Sequence, residues 1–492
     1  MTETAKKKRG MPSSFTILLA LLAIVAVVTV IVSGTSGGAV TAARLSDFCT
    51  APIKGFADAL PVFLFVMILG GFLGMMTETG ALDNGIAVLV QKLKGNEIML
   101  IPVLMLIFSL GGTTYGMCEE TVPFYALLAA TMMAAGFDPM VGAATVLLGA
   151  GCGCLGSTVN PFAVGAAVDA LTGVDIAVNQ SIIIGLGAVL WLVTTVMSIV
   201  FVMNYAKKVK ADKGSTILSM QELKDAEEAH GKAASEVHKE VKLTGRQKGV
   251  LIAFAFTFVV MIVGFIPLAD LNEGVANFFD AGAVYDADGN AVVQGWSALI
   301  TGLPIGQWYF DEASTWFFLM AVLIGIIGGL SEKQIVNTFI TGAADMMSVV
   351  LVIALARGIS VLMANTGLDV YVLDAAANAL AGLSGVIFAP MSFLVYFGLS
   401  FLIPSTSGMA TVSMPIMGPL AVKLGFSPEV MVMIFSAAIG VVNLFTPTSG
   451  AIMGGLALAK IEWTTWLKFA LKLIVALSVV CAVILTVACV LL

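Results

Sequence analysis

Glu119 and Glu120 are adjacent carboxylates in an otherwise apolar, hydroxyl-rich stretch, Gly111-Gly112-Thr113-Thr114-Tyr115-Gly116-Met117-Cys118-Glu119-Glu120-Thr121. At bilayer depth a carboxylate costs at least about 2.5 kcal/mol, so it marks a partner or a function. A pair of them suits an ammonium or a guanidinium, and arginine is the planar, bidentate match. The competing explanation is local: just before Pro123, at the start of a helix, acidic side chains also meet the helix dipole favourably. Arg357 is the one basic residue deep in a predicted span. It serves either as the anchor of a substrate carboxylate or as a standing counter-ion for Glu119 or Glu120. Asp58 and Asp345 fall at span ends, where capping explains them.

Hydroxyl and amide side chains gather at four further places. Thr113 and Thr114 lie in the first Gly-rich centre, and Ser405, Thr406 and Ser407 lie in a second, Pro404-Ser405-Thr406-Ser407-Gly408. Ser157, Thr158 and Asn160 surround one helix interruption, and Asn443, Thr446 and Thr448 surround another. Breaking a helix frees carbonyl oxygens and amide donors where lipid offers no partner. Joined to hydroxyls, these groups can hold a substrate's polar ends, or a monovalent cation near Ser157, Thr158 and Thr446. The blander alternative is that Ser, Thr and Gly simply permit close helix packing. Cys152-Gly153-Cys154 could hold a soft metal, but no third ligand is nearby and both histidines, His230 and His238, fall in a polar loop. Tight packing is the simpler reading, and no metal or cofactor is expected beyond Na+ or H+ as a coupling ion. An intramembrane metalloenzyme is disfavoured, because no His-Glu-x-x-His pair is present.

These residues need a frame that crosses a bilayer. Of 492 residues, 59% are hydrophobic and only 11% charged, against about 25% charged in soluble proteins. Spans are predicted near 14–33, 57–77, 140–170 (interrupted), 181–205, 248–268, 315–331, 345–364, 429–459 (interrupted) and 467–492. The basic run at 6–9 precedes an apolar stretch too long for a signal peptide, so residues 1–13 are expected to be a cytoplasmic tail. The Lys-rich loop 206–247 is placed in the cytoplasm. The acidic 269–314 connection, which lacks Lys and Arg, is placed outside. One linking helix, 248–268, separates them. Asp286-Ala287-Asp288-Gly289-Asn290 is predicted to be a tight turn between short extended pieces. The net charge of −7 forms no single basic face, and no nucleic-acid partner is expected.

Residues 97–135 and 385–423 each hold two arms of roughly fifteen residues, reaching about 20 Å, around a polar centre. They read as re-entrant hairpins with tips near the midplane, tolerable only where buried in protein or lining a wet cavity. The same order of features occurs twice. Gly55-x-x-Asp58 and Thr79-Gly80 return as Gly342-x-x-Asp345 and Thr366-Gly367, 287 residues on. Thr113-Thr114-x-Gly116-Met117 returns as Ser405-Thr406-x-Gly408-Met409 at 292, which sets Thr411 and Val412 opposite Glu119 and Glu120. Gly136-Phe137-x-Pro139 returns as Gly425-Phe426-x-Pro428, and Asn160-Pro161 pairs with Thr446-Pro447. The fold class is therefore an all-α polytopic membrane protein of two repeats, 14–205 and 315–492, each with a re-entrant hairpin and an interrupted helix. The loop charges make the repeats inverted in topology. Lys92 and Lys94 put the base of the first hairpin in the cytoplasm, and the second opens outward. Oppositely inserted halves with broken helices meeting at mid-membrane are the architecture of secondary transporters.

At Gly-Gly-Thr-Thr-Tyr-Gly-Met-Cys-Glu-Glu-Thr (111–121), Asn-Pro-Phe-Ala-Val-Gly-Ala (160–166), Ile-Pro-Ser-Thr-Ser-Gly-Met-Ala (403–410) and Thr-Pro-Thr-Ser-Gly (446–450) the chain resembles bacterial basic amino acid antiporters, also named C4-dicarboxylate anaerobic carriers. Its start is most similar to arginine–ornithine antiporters of fermentative bacteria. It also resembles, at a distance, the ion-transporter superfamily of sodium–dicarboxylate carriers. That likeness implies a homodimer in which a scaffold domain holds a mobile elevator domain bearing both hairpins. Those carriers place Ser-Asn-Thr at each tip, where this chain has Thr113-Thr114 and Ser405-Thr406-Ser407. The combined expectation is an inner-membrane exchanger of arginine for ornithine, with a cation-coupled carrier of C4-dicarboxylates or other short carboxylates as the alternative.

Overall fold

The computed structural model describes residues 14–82, 84, 85, 88, 96–236, 242–266, 268–271, 273–286 and 291–492. The basic run at 6–9, Lys92, Lys94, His238 and the turn residues 287–290 lie outside them. The first half comprises α1 (Ser14–Ser33), α2 (Leu45–Asp58), α3 (Leu60–Glu78), α4 (Leu100–Tyr115), α5 (Val122–Ala134), α6 (Pro139–Leu155), α7 (Pro161–Thr172) and α8 (Gln180–Ala211). Then come α9 (Met220–Glu236) and α10 (Gly245–Phe265). The second half comprises α11 (Phe310–Gly328), α12 (Glu332–Asp345), α13 (Met347–Thr366), α14 (Leu368–Leu380), α15 (Gly385–Leu402), α16 (Thr406–Lys423), α17 (Pro428–Val442), α18 (Gly450–Leu458) and α19 (Trp463–Leu491). Among the described residues, nine helices are long and apolar enough to cross a bilayer.

Equivalent elements start and stop on equivalent signals. The helices that precede each interruption, α6 and α17, both open with proline at the first helical position behind a capping side chain. The Asp138 carboxylate accepts from the Val141 amide at 3.1 Å, and the Ser427 hydroxyl accepts from the Val430 amide at 3.4 Å. Proline costs nothing there, because that amide has no helical partner in any case. The turns before them, at Gly136 and Gly425, carry φ of 86° and 81°, a left-handed conformation that glycine adopts without penalty.

The two halves are built through each other. Helix α2 packs on α13 while its counterpart α12 packs on α3, and α1 and α11 make the same exchange. At the crossings nothing larger than glycine fits. A Cβ on Gly55 would lie 2.3 Å from the Gly358 nitrogen, and one on Gly342 would lie 2.4 Å from the Gly70 oxygen. The hairpins exchange partners too: α5 packs on α18, and α16 on α7. This reciprocal docking is the inverted repeat expressed as packing.

Several boundaries differ from those read in the sequence. Of the first hairpin arms, α4 has 16 residues, close to the fifteen expected, and runs through Gly111-Gly112-Thr113-Thr114 to Tyr115, whereas α15 has 18, about 27 Å. Pro390 is carried inside α15 without ending it. Helix α8 runs on to Ala211, and α11 begins at Phe310. The polar loop between α8 and α10 carries a helix of its own, α9, docked on α5. In the acidic connection the extended pieces are present as a two-stranded antiparallel hairpin, Val284–Tyr285 with Ala291–Val293.

Candidate substrate site

Both hairpin tips and both helix interruptions converge on one cavity of about 140 Å³. Its walls follow the pseudo-two-fold. Helix α6 contributes Leu147, Ala150, Gly151 and Cys154, and α17 with the Asn443 that caps it contributes Ser436, Ile439, Gly440 and Asn443, each 289 residues on. Beyond the interruptions, Asn160, Phe162 and Ala163 face Ser449, Ala451 and Ile452 at the same offset. Val62 of α3 and Ile353, Ala356 and Arg357 of α13 close one side. The two pre-interruption helices touch at the centre, where a Cβ on Gly440 would stand 2.4 Å from the Leu155 Cα.

In the first half the hairpin is bonded into the interruption. The Thr113 hydroxyl donates to the Gly156 carbonyl at 2.7 Å, and the Thr158 amide and hydroxyl donate back to the Thr113 carbonyl at 2.9 and 3.0 Å. Asn160 accepts through its side chain from the Phe162 and Ala163 amides at 2.9 and 3.3 Å, capping the resumed helix, and donates to the Ser157 hydroxyl at 2.9 Å. Gly116 lies so close to that amide that a Cβ would sit 2.5 Å from its Oδ1. The tip then presents Cys118, Glu119 and Glu120 to the cavity. Glu120 is buried and accepts from the Cys118 amide at 2.9 Å, while Glu119 is half-buried.

In the second half the fastening is different. The freed carbonyls of Leu444 and Phe445 accept from the indoles of Trp466 and Trp463, at 2.9 and 2.7 Å, on α19. Among the described residues no hydrogen bond joins the 403–407 tip to the 443–449 interruption. The Ser405 hydroxyl caps its own helix, accepting from the Gly408 amide at 3.1 Å.

Of the residues singled out from the sequence, Glu119, Glu120, Asn160, Arg357, Ser405, Thr406, Ser407, Asn443 and Thr448 line the cavity. Thr113, Thr114, Ser157, Thr158 and Thr446 do not. Their hydroxyls are engaged locally: Thr114 on the Leu110 carbonyl at 2.6 Å, Ser157 on that of Cys154 at 2.6 Å, and Thr446 with Thr448 at 2.7 Å. The ion pair of Arg357 is with Asp58, at 3.8 Å, and no cation lies within 4.0 Å of Glu119 or Glu120 among the described residues. Asp58, taken as a cap in the sequence, is therefore the partner of Arg357. The repeat register also changes at the tips. Thr113 and Thr114 close the first arm whereas Ser405 and Thr406 open the second, so Cys118-Glu119-Glu120 stands opposite Ser405-Thr406-Ser407. The cap Asn160 likewise matches the cap Ser449 rather than Thr446. Ser436 is a cavity residue that motif reading missed. The available signal was its place two turns before Asn443, on the same helix face.

The profile of the C4-dicarboxylate anaerobic carriers (DcuC) matches residues 35–490. The chain belongs to this family. Among curated relatives, an uncharacterized protein of Haemophilus influenzae Rd is 28% identical over 90% of this carrier and 78% of its own length. A protein of Escherichia coli K12 provisionally named basic amino acid antiporter YfcC is 27% identical over 87% of the carrier and 77% of its own length. Among solved structures, the Alcanivorax borkumensis YdaH transporter aligns over 96% of this carrier and 97% of its own chain, at 16% identity and a TM-score of 0.47. Neisseria gonorrhoeae MtrF aligns over 98% and 96%, at 16% identity and 0.43. The carrier is a polytopic secondary transporter.

Proposed function

We propose that the chain exchanges cationic amino acids, arginine for ornithine, across the inner membrane. The observation that carries this reading is the charge of the cavity. Among the described residues, Glu119 and Glu120 enter it with no cation within 4.0 Å, and Arg357, its one lining cation, pairs with Asp58 at 3.8 Å and acts on Glu119 only from farther away. A guanidinium or an alkylammonium supplies what the carboxylates lack, and the name of the E. coli relative agrees. Alternating access fits an elevator in which the hairpins, α6, α7, α17 and α18 move against α3 and α13. The seam at Val62, Ile353 and Arg357 is then the sliding surface. A cytoplasmic N-terminus, a homodimer and coupling to Na+ or H+ belong to the same proposal. Cysteines placed at Ala234 and Asp286 then label from the cytoplasmic and external sides respectively.

The family description favours a second reading, carriage of short dicarboxylates with Arg357 as the anion anchor. Counterflow in proteoliposomes loaded with arginine, ornithine or succinate separates the two. Uptake of labelled arginine driven by internal ornithine is expected. Uptake of succinate with no response to either amino acid would transfer the assignment to the dicarboxylate.

A further inference from the structure

Six buried hydroxyls have no hydrogen-bond partner among the described residues, on Tyr115, Thr195, Ser314, Ser360, Ser392 and Ser436. Ser436 alone of these lines the substrate cavity, and it is 1% exposed. Many helical Ser and Thr donate to the carbonyl one turn back, as Thr145 does to Val141 at 2.7 Å and Ser400 to Tyr396 at 2.6 Å. Ser436 makes no such bond to Val432. A buried hydroxyl without a partner is costly and persists where something other than the protein completes it.

The polarity of the surrounding wall says what that ligand group is. The first half supplies the two carboxylates. The second supplies neutral donors on its tip, Ser436 on α17, Asn443 just beyond it and the start of α18, together with Arg357 of α13, whose guanidinium pairs with Asp58. That helix start is open: Ser449 makes no side-chain cap bond and lines the cavity with Gly450, Ala451 and Ile452, whereas Asn160 accepts from the equivalent amides of α7. Open amides and the positive end of a helix favour an anion. We infer that the Ser436 hydroxyl donates to the carboxylate of the transported amino acid, beside the open N-terminus of α18, with the cationic end turned toward Glu119 and Glu120. This rests on the cationic amino acid reading and adds a direction to it: the substrate lies across the pseudo-two-fold, each end recognised by a different repeat.

The test is Ser436→Ala in the full-length protein, with binding of arginine and of agmatine, the same cation without the carboxylate. Removing one hydrogen bond to a charged group weakens arginine about tenfold or more and leaves agmatine unchanged. Melting in detergent serves as the folding control. The substitution deletes a hydroxyl with no partner in the protein, so the midpoint holds or rises while arginine affinity falls. Wild-type arginine affinity in the variant, or an equal loss for agmatine, overturns the inference. If the unmodified protein binds succinate in place of arginine, the amino acid reading fails, and the same substitution still decides the hydroxyl's role. Weakened succinate upholds it as a carboxylate donor, and unchanged succinate removes it.

Discussion

The two hairpins are copies in outline and differ in how they are tied down. The first is closed against its interruption backbone to backbone: a Cβ on Gly112 would meet the Ala150 oxygen at 2.2 Å, and Thr113 trades hydrogen bonds with residues 156–158. The second leaves the neighbourhood of its interruption to α19, whose indoles hold the Leu444 and Phe445 carbonyls. Its own arm is open at Gly398, where a Cβ would touch nothing within 4 Å. A duplicated fold therefore need not duplicate its fastenings. Free carbonyls at an interruption must find donors, but hairpin hydroxyls and scaffold indoles meet that demand equally well.

Glycine substitution gives the largest contrast. Gly112→Ala forces two helix backbones apart and is expected to cost about 3 kcal/mol, the upper end for overpacking. Gly398→Ala meets open space and gains up to about 1 kcal/mol from helix propensity. Melting of both variants in detergent measures the difference, and equal midpoints would erase the asymmetry.

The tips differ next. Glu120→Gln, or Glu119→Gln, removes a charge that only the first tip carries and is expected to weaken arginine by about 1.5–3 kcal/mol, ten- to more than hundredfold. Ser407→Ala at the matching position of the second tip has an effect several times smaller. Equilibrium binding decides it, and wild-type arginine affinity in both glutamine variants sinks the cationic assignment. On the dicarboxylate reading, Arg357→Gln abolishes transport while the glutamine variants stay near normal.

The carbonyl donors follow. Trp466→Phe and Thr113→Val each strand one buried carbonyl, at about 1–3 kcal/mol. Their functional signatures should separate. The valine variant loosens a hairpin and lowers the transport rate, whereas the phenylalanine variant lowers the melting point with transport retained in the folded fraction.

The smallest effect sits where the halves are bridged on their polar side. His230 of α9 is buried and bonds the Leu458 carbonyl at 3.1 Å, while α9 packs on α5. Burial, with Lys460 nearby, holds its imidazole below the ordinary value, and the Leu458 bond partly opposes this. The docked helix thus binds fewer protons than the released one, so docking is full above a pH of about 6.5 and weakens as pH falls below it. Hydrogen exchange across 220–236 should quicken between about pH 7.5 and 5.5. In His230→Gln it should be indifferent to that change.

The repeat was legible because glycine at backbone crossings and Gly-x-x-Pro turns are steric necessities that leave the same letters twice. The registers at the tips were not legible. Thr113-Thr114 resembles Ser405-Thr406 in composition, but one pair ends a helix and the other begins one, and a hydroxyl serves a backbone carbonyl as readily as it serves a ligand. Ser436 escaped because a single serine in an apolar helix carries no motif; its place two turns before Asn443 was the one hint in the sequence, and its missing back-bond appears only in the structure. Arg357 and Asp58 were visible as charges, yet their pairing depends on α2 crossing α13, a contact between distant segments.

That crossing also constrains how the protein is made. Gly55 and Gly358 seal one another, and the seam of α3 is completed by α12. Nearly 300 residues must follow α2 out of the ribosome before its partner exists. At about 5–20 residues per second this is a wait of roughly 15–60 s. Throughout that interval the glycine faces of α2 and α3 have only lipid or the insertion machinery against them, so the first repeat enters the membrane with its hairpin able to pack on α6 but with α2 and α3 unfinished until the second arrives.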